Sequence, residues 1–276
     1  MTDRSTVWAV GQRPARVQRQ GRYLPESTPH PGKMLPELAA HAISTFTKPG
    51  DVVVDPMCGI GTTLVEAAHL GRDSFGIEYE PRWAVLARAN LAMAEIAGAS
   101  GRGEVVVGDC RHLVGLLPDE LAGQVSLILT SPPYGAVTHG HLVREGGRAR
   151  KANGSYSTDR SNLAYAGRAA LFDAMTTMLR STRKLLTPDG VVVLTARPWR
   201  RCGALVDLPG ALVRLADEAG LRLVERNVAL LAAVRDGALV PRASFFQLKD
   251  VRAARARGVP HHVIAHEDVL VFGRAQ

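Results

Sequence analysis

The sequence predicts an α/β protein, a mostly parallel sheet with helices on both faces. Three observations carry that expectation. Short apolar runs rich in β-branched residues alternate along the chain with segments of helical periodicity. One such run, Asp51-Val52-Val53-Val54-Asp55, breaks into the turn Pro56-Met57-Cys58-Gly59-Ile60-Gly61 and then a helix beginning near Thr62. Another, Val125 to Leu129, stops abruptly at Thr130-Ser131-Pro132-Pro133-Tyr134-Gly135. Ligands of open α/β sheets bind at the carboxyl ends of strands, where both of these corners fall.

Taken in order, residues 1–29 are polar and carry Arg4, Arg13, Arg16, Arg19 and Arg22, which reads as a flexible basic arm. Pro36 suits a first helical position. Leu35, Leu38, Ala42 and Ile43 give that helix an apolar face. After the turn Lys48-Pro49-Gly50 comes the strand ending at Asp55, then a helix over Leu64 to Leu70. Ser74 to Glu78 is the second strand, Pro81 to Ile96 a helix, and Glu104 to Val107 a third strand closed by Gly108-Asp109-Cys110.

Val125 to Leu129 is the next strand, and residues 136–168 form the longest irregular segment, rich in Gly, Ser, Asn and Arg. A loop of that length in a compact domain is usually functional or disordered. Ala169 to Leu186 reads as a helix stopped by the turn Thr187-Pro188-Asp189-Gly190. Val191 to Thr195 is a fifth strand, Leu205 to Ala219 a helix, and Leu221 to Ala233 a sixth strand running into a ribbon. Residues 235–260 turn basic again, and His266 to Phe272 closes the chain as a strand. The expected organisation is the arm 1–29 and a single domain, 30–276, with basic insertions at 136–168 and 235–260.

Composition excludes several classes. The chain has 276 residues, 46% of them apolar, enough for one full core. No apolar run is long enough to cross a membrane, and the first 30 residues hold no signal-like segment, so a cytoplasmic protein is expected. Three widely spaced cysteines, Cys58, Cys110 and Cys202, make neither a disulfide framework nor a zinc site, and no metal is expected. A net charge of +8 favours a polyanionic partner without identifying it.

The two corners carry the chemistry. Glycines let backbone approach a ligand where a side chain would clash, and the helix start at Thr62 and Thr63 presents unpaired N–H groups. Only two glycines of a three-glycine dinucleotide fingerprint are present. Glu78 ends the strand after Asp55 at about the spacing that brings an acid to ribose hydroxyls. Asp109 ends the third strand. Any one of these acids alone reads more readily as a helix cap or surface charge; three at successive strand ends beside a glycine turn do not. At Ser131-Pro132-Pro133, two prolines fix φ near −65° and supply no N–H, which leaves carbonyls free beside a hydroxyl and an aromatic ring.

Asp55-Pro-x-x-Gly-x-Gly-Thr-Thr63, Ser131-Pro-Pro-Tyr134 and His30-Pro-x-Lys33 together resemble the exocyclic-amino DNA methyltransferases, which methylate the N4 of cytosine or the N6 of adenine. The resemblance is specific over residues 30–135 and loose beyond. It implies a Rossmann-like methyltransferase fold, a mostly parallel seven-stranded sheet with an antiparallel C-terminal strand, and S-adenosylmethionine as cofactor. It places His30, Lys33, Asp55, Pro56, Cys58, Gly59, Gly61, Thr62, Glu78, Asp109 and Cys110 around that cofactor, with Asp55 receiving its ammonium group and Asp109 its adenine amine. Ser131, Pro132, Pro133 and Tyr134 become the catalytic residues: acceptors that draw an amine lone pair out of conjugation, and a ring on which an extruded base stacks.

Arg144, Arg148, Arg150, Lys151, Arg252 and Arg255 are the candidate nucleic-acid contacts, with His139, His141, Tyr156 and Tyr165 as further base contacts; each also reads as a solvated loop residue. The expected substrate is DNA rather than RNA. Cytosine N4 is favoured over adenine N6 because the motif opens with Ser, and a restriction endonuclease is a conceivable partner. No recognition domain of the usual size follows the motif, which keeps open an enzyme of guanine N2 in transfer or ribosomal RNA. A non-catalytic nucleic-acid-binding protein on the same fold is the third reading.

Overall fold

The structure is a computed structural model. It describes residues 5–133, 157, 159, 162–201, 204–242 and 245–275, together with the backbone of 141–145 and 148–152; the side chains of 201, 245 and 246 lie outside the description. The first third of the chain runs β1 (Val7–Trp8), α1 (Ala15–Arg19), α2 (Pro36–Phe46), β2 (Val52–Asp55), α3 (Thr62–His69), β3 (Asp73–Glu78), α4 (Pro81–Ile96) and β4 (Gly103–Val107). A short α5 (Leu113–Leu116) leads to β5 (Val125–Thr130) and the hairpin β6 (His141–Glu145) and β7 (Arg148–Ala152). Then follow α6 (Arg168–Leu185), β8 (Leu186–Ala196), the hairpin β9 (Trp199–Arg201) and β10 (Ala204–Val206), and α7 (Leu208–Glu218). The rest is β11 (Leu221–Leu230), the hairpin β12 (Ala232–Arg235) and β13 (Ala238–Pro241), α8 (Phe245–Ala256) and β14 (His266–Arg274).

Eight strands form the main sheet in the order β1-β11-β14-β8-β5-β2-β3-β4. Strand β14 is antiparallel to both its neighbours, β8 and β11, and the other pairs are parallel. The two faces can be read from alternate residues. Val54, Ile128, Leu270 and Phe272 point into one core with α6 and α7, through Leu171, Met175, Met178, Leu179, Leu208 and Leu212. Val53, Leu127, Leu129, Val269 and Val271 point into the other, closed by Leu38, Ala39, Ala42 and Ile43 of α2. Burial on both faces explains why these strands read as unbroken apolar runs rather than alternating ones. Each fully buried Leu, Ile or Val contributes about 1.5–3 kcal/mol relative to exposure.

The predicted seven strands become eight because the expected loose arm is folded from Ser5 onward. Val7 and Trp8 pair with Val228 and Ala229 as an edge strand. Trp8 and Val10 are buried in the α2 core, and the Trp8 ring lies 4.4 Å from that of His41. Gln18, 3% exposed, gives its amide to Val10 and Arg13 carbonyls and accepts the Glu37 N–H, one of the orphan donors at the start of α2. Tyr23 is equally inside, its hydroxyl donating to Glu66 at 2.7 Å while Arg22 pairs with the other carboxylate oxygen at 2.6 Å. Burial, then the Glu66 charge, pushes the Tyr23 hydroxyl well above its ordinary pKa. An arginine-rich composition therefore conceals four anchors, Trp8, Val10, Gln18 and Tyr23.

The turn expected at Thr187–Gly190 lies within the bounds of β8, as an irregularity in its pairing: Leu186 faces Val125 while Val191 faces Leu127. The chain leaves β2 toward β3 and β4, and leaves β5 toward β8 on the opposite side. This reversal opens a crevice at the carboxyl ends of β2 and β5. Asp55, Glu78, Val107 and Thr130 all finish their strands at that edge.

Candidate active site

The glycine turn and the double-proline corner share one rim, and they are tied to each other. Asp55, 4% exposed, accepts the Thr130 hydroxyl at 2.7 Å, the Thr63 hydroxyl at 2.6 Å and the Met57 N–H at 3.0 Å. One carboxylate thus joins the end of β2, the first turn of α3 and the residue before Ser131. Burial raises its pKa to about 6 against those three donors. It lies beneath the cavity rather than in its wall. The resemblance assigned Asp55 to the cofactor ammonium, whereas the structure sets it as the tie between the two corners.

A cavity of about 200 Å³ occupies the crevice. Its first wall consists of Pro31 to Met34, Pro56 and Met57, Glu78 and Tyr79, and Gly108 to Cys110. Glu78 is 2% exposed and accepts backbone N–H bonds from Gly59 and Glu80, each at 2.8 Å. Burial lifts its pKa to about 7; those two donors oppose the rise and the Glu80 and Asp55 charges add to it. The Gly59 N–H that a phosphate would need is therefore given to a carboxylate. Gly59 and Gly61 have φ of 56° and 80°, and an added Cβ at Gly59 would meet the His30 ring at 3.0 Å. Glycine is needed there for the turn and for the close approach of His30.

The remaining predicted cofactor residues divide. Lys33 lines the cavity and donates to the Thr28 carbonyl at 2.8 Å and to that of His30; burial, with Arg19 nearby, lowers its pKa to about 8. Asp109 lines it too. Burial works to raise its pKa, but the forked Arg111 guanidinium and the Arg111 N–H outweigh that and hold it below the ordinary value. Cys110 faces the cavity as a thiol, pushed up to about 12 by burial and the Asp109 charge.

His30, Cys58, Gly59, Gly61 and Thr62 lie behind the wall. His30 sits edge-on against Trp83 at 4.7 Å, and burial, with the Lys33, Arg82 and Arg19 charges, lowers its pKa to about 3 and keeps it neutral. The Cys58 sulfur packs 2.8 Å from where a Cβ on Gly76 would stand. Thr62, 4% exposed, leaves its hydroxyl without a partner among the described residues.

The opposite wall is assembled from remote segments: Ser131 to Pro133, Asn162 to Ala164, Arg197 and Glu267. Asn162 donates to Glu80 at 2.8 Å and so attaches this wall to the strand β3 end. Tyr79 donates to Asp159 at 2.7 Å. Tyr134, His139 and Tyr156 lie outside the described residues, as do the side chains of His141, Arg144, Arg148, Arg150 and Lys151, whose backbone forms the β6–β7 hairpin. Tyr165 is turned to the Ser157 backbone, donating to its carbonyl at 2.8 Å. On α8, Arg252 is exposed, and Arg255 donates to the His261 carbonyl at 2.8 Å. Sequence reasoning missed Met57, Tyr79, Asn162, Arg197 and Glu267. For Arg197 a signal existed, since it directly follows a parallel strand at the ligand-binding edge; for Glu267 there was none.

Two carboxylates at successive strand ends can accept hydroxyls or amines, the Lys33 ammonium can donate to a carboxylate, and among the described residues the glycine turn gives its Gly59 N–H to Glu78 rather than to a phosphate. That donor set fits S-adenosylmethionine, which has a ribose diol, an adenine amine and a carboxylate but no phosphate. Residues 2–88 match a family described as DNA methylase. Over 110 residues the chain is 33% identical to the tRNA (guanine(10)-N2)-dimethyltransferase of Methanocaldococcus jannaschii, covering 40% of this chain and 31% of that protein. Over 68 residues it is 34% identical to the type II methyltransferase M.MjaII of the same organism, covering 25% and 13%. The chain thus spans less than a third of the length of these curated relatives.

TrmN from Thermus thermophilus superposes with a TM-score of 0.55 at 21% identity, over 94% of this chain and 53% of that one. The chain carries a Rossmann-like fold shared with TrmN, and its residues 2–88 match the DNA methylase family model.

Proposed function

We propose that this protein transfers a methyl group from S-adenosylmethionine to an exocyclic amino nitrogen of a nucleobase, N4 of cytosine in DNA. The observation that carries the reading is the Thr130–Asp55–Thr63 tie, which holds Ser131-Pro132-Pro133 and the glycine turn on one cavity. When bound, the cofactor would supply an electrophilic methyl: the S–C bond breaks with its electron pair left on sulfur, the N–C bond forms, and the methylated nitrogen releases one proton to solvent water. Glu78 accepts from the ribose hydroxyls, Asp109 from the adenine amine, and Lys33 donates to the carboxylate. The Ser131 hydroxyl and the Pro132 carbonyl accept the amine N–H groups of the base, steer its lone pair toward the methyl and stabilise the charge that grows on nitrogen. Pro133 borders the cavity beside them, the Tyr134 ring is the one on which the base would stack, and Arg252 with the arginines of β6 and β7 serves the phosphate backbone.

A second reading, N2 of guanine in RNA, is favoured by the name of the Methanocaldococcus tRNA relative. Mass spectrometry of nucleosides from DNA and from RNA, each incubated with protein and cofactor, tests both. N4-methylcytosine in DNA is expected, N2-methylguanosine in RNA would replace the first reading with the second, and no methylated nucleoside would refute both.

A further inference from the structure

Among the described residues Glu267 is the one carboxylate in the second wall of the cavity, and nothing in the chemistry above uses it. Strand β14 pairs antiparallel with β8, Asp268 opposite Ala196, so its first residues stand beside the last of β8. Strand β8 in turn pairs with β5, Leu194 opposite Thr130. These registers bring Glu267 and Arg197 to the level of Pro133, just past Ser131 and Pro132, and all of these residues line the same cavity. The Glu267 carboxylate makes no hydrogen bond or ion pair with any side chain or backbone group among the described residues. The charges of Arg197 and His266 act on it, yet burial prevails and raises its pKa. A half-buried carboxyl group that faces a cavity with no partner among the described residues is open to one that a ligand supplies.

The ligand's pairing edge suggests how. Cytosine and guanine both present an amine, then a ring nitrogen, then a carbonyl; adenine presents an amine, a ring nitrogen and a C–H. We propose that Glu267 and Arg197 read this edge, Glu267 at the ring nitrogen beside the reacting amine and Arg197 at the carbonyl beyond it. The substrate is then an amino-oxo base, cytosine or guanine, and not adenine, whose C–H offers Arg197 no hydrogen bond. This rests on the amino-methyltransferase reading and narrows it. For cytosine, Glu267 acts as a neutral acid donating to N3, which its burial favours. For guanine it acts as a carboxylate accepting from N1–H.

The test measures methylated nucleosides and initial rates on DNA and RNA for the full-length wild type and for Glu267→Ala, Glu267→Gln and Arg197→Met. S-adenosylmethionine affinity is measured alongside, to separate loss of fold from loss of recognition. The wild type is expected to yield N4-methylcytosine or N2-methylguanine without N6-methyladenine. Glu267→Ala is expected to lose about tenfold or more in turnover at unchanged cofactor affinity. Glu267→Gln separates the two bases by charge: its NH2 still donates to cytosine N3, so that rate stays near wild type, whereas its carbonyl is a weaker, uncharged acceptor for guanine N1–H and guanine turnover falls a few-fold. Arg197→Met is expected to raise the ratio of adenine to cytosine or guanine accepted, a change that a merely structural arginine would not produce. N6-methyladenine as the main wild-type product overturns the proposal and leaves the amino-methyltransferase reading standing. Wild-type turnover in Glu267→Ala does the same. No methyl transfer to any base overturns both.

Discussion

The two walls of the cavity are built on opposite plans. On the cofactor side the acids are satisfied from within: Glu78 by the Gly59 and Glu80 N–H groups, Asp109 by Arg111. On the acceptor side Ser131, Asn162, Arg197 and Glu267 arrive from four separate parts of the chain, and the Glu267 carboxylate has no hydrogen-bond partner among the described residues. A wall held by its own hydrogen bonds is preorganised for one invariant ligand. A wall left partly unsatisfied waits for its ligand to complete it. Asp55 stands between the two and answers to neither ligand.

If that division is right, the most damaging change lies at the tie. Asp55→Ala strands two buried hydroxyls and an N–H, and is expected to lower stability by about 3 kcal/mol or more. Denaturant unfolding measures this, and an unchanged midpoint would remove Asp55 from its place as the joint.

Next in size is the contrast between walls. Glu78→Gln is expected to weaken S-adenosylmethionine binding by about tenfold or more in a calorimetric titration. Ser131→Ala is expected to leave that affinity within about twofold while turnover falls about tenfold, since each mutation removes roughly one hydrogen bond to a charged or reacting group. The same loss of affinity in both variants would erase the distinction.

A gentler version is Thr130→Val, which frees Asp55 of one donor and loosens the corner; about 1 kcal/mol of stability and a several-fold fall in turnover are expected.

The smallest effect is on pH. Asp55 and Glu78 have folded values near 6 and 7, above the ordinary carboxylate range, so the folded state binds their protons more readily than the unfolded chain. Their contribution is present at mildly acid pH and is lost as pH rises from about 4 through those values. The melting temperature of the cofactor-free protein should carry a falling component between about pH 5 and pH 8, shallower in Glu78→Gln. Equal slopes in the two proteins would show that Glu78 does not titrate there.

Much of the cofactor wall was legible because it is local. A strand, a glycine turn and a helix follow one another without a break from Val52 to His69, and the acids at 78 and 109 close the next two strands. The Ser131 corner was legible for the same reason, since two prolines dictate it on the spot. What escaped was everything fixed by long-range pairing. The Asp55–Thr130 bond joins residues 75 positions apart, and nothing in either sequence neighbourhood announces the other. Glu267 reaches the cavity only because β14 inserts antiparallel beside β8. The N-terminal segment misled through composition, because its arginines outnumber the few anchors that fold it. Its staple, Asn90, is fully buried in the middle of α4 and bonds Leu24, Ser27 and Ile60 at once.

The position of β14 has a consequence for assembly. It is the last strand in chain order, yet it occupies an interior place, and β11 with β1 beyond it joins the sheet only through it. During synthesis the parallel half from β2 to β8 can condense first, around a formed cofactor wall. The N-terminal edge strand must wait, unpaired, until the final strand has slipped in. An arrested chain ending before residue 266 would therefore present a ready cofactor pocket beside an acceptor wall that still lacks Glu267.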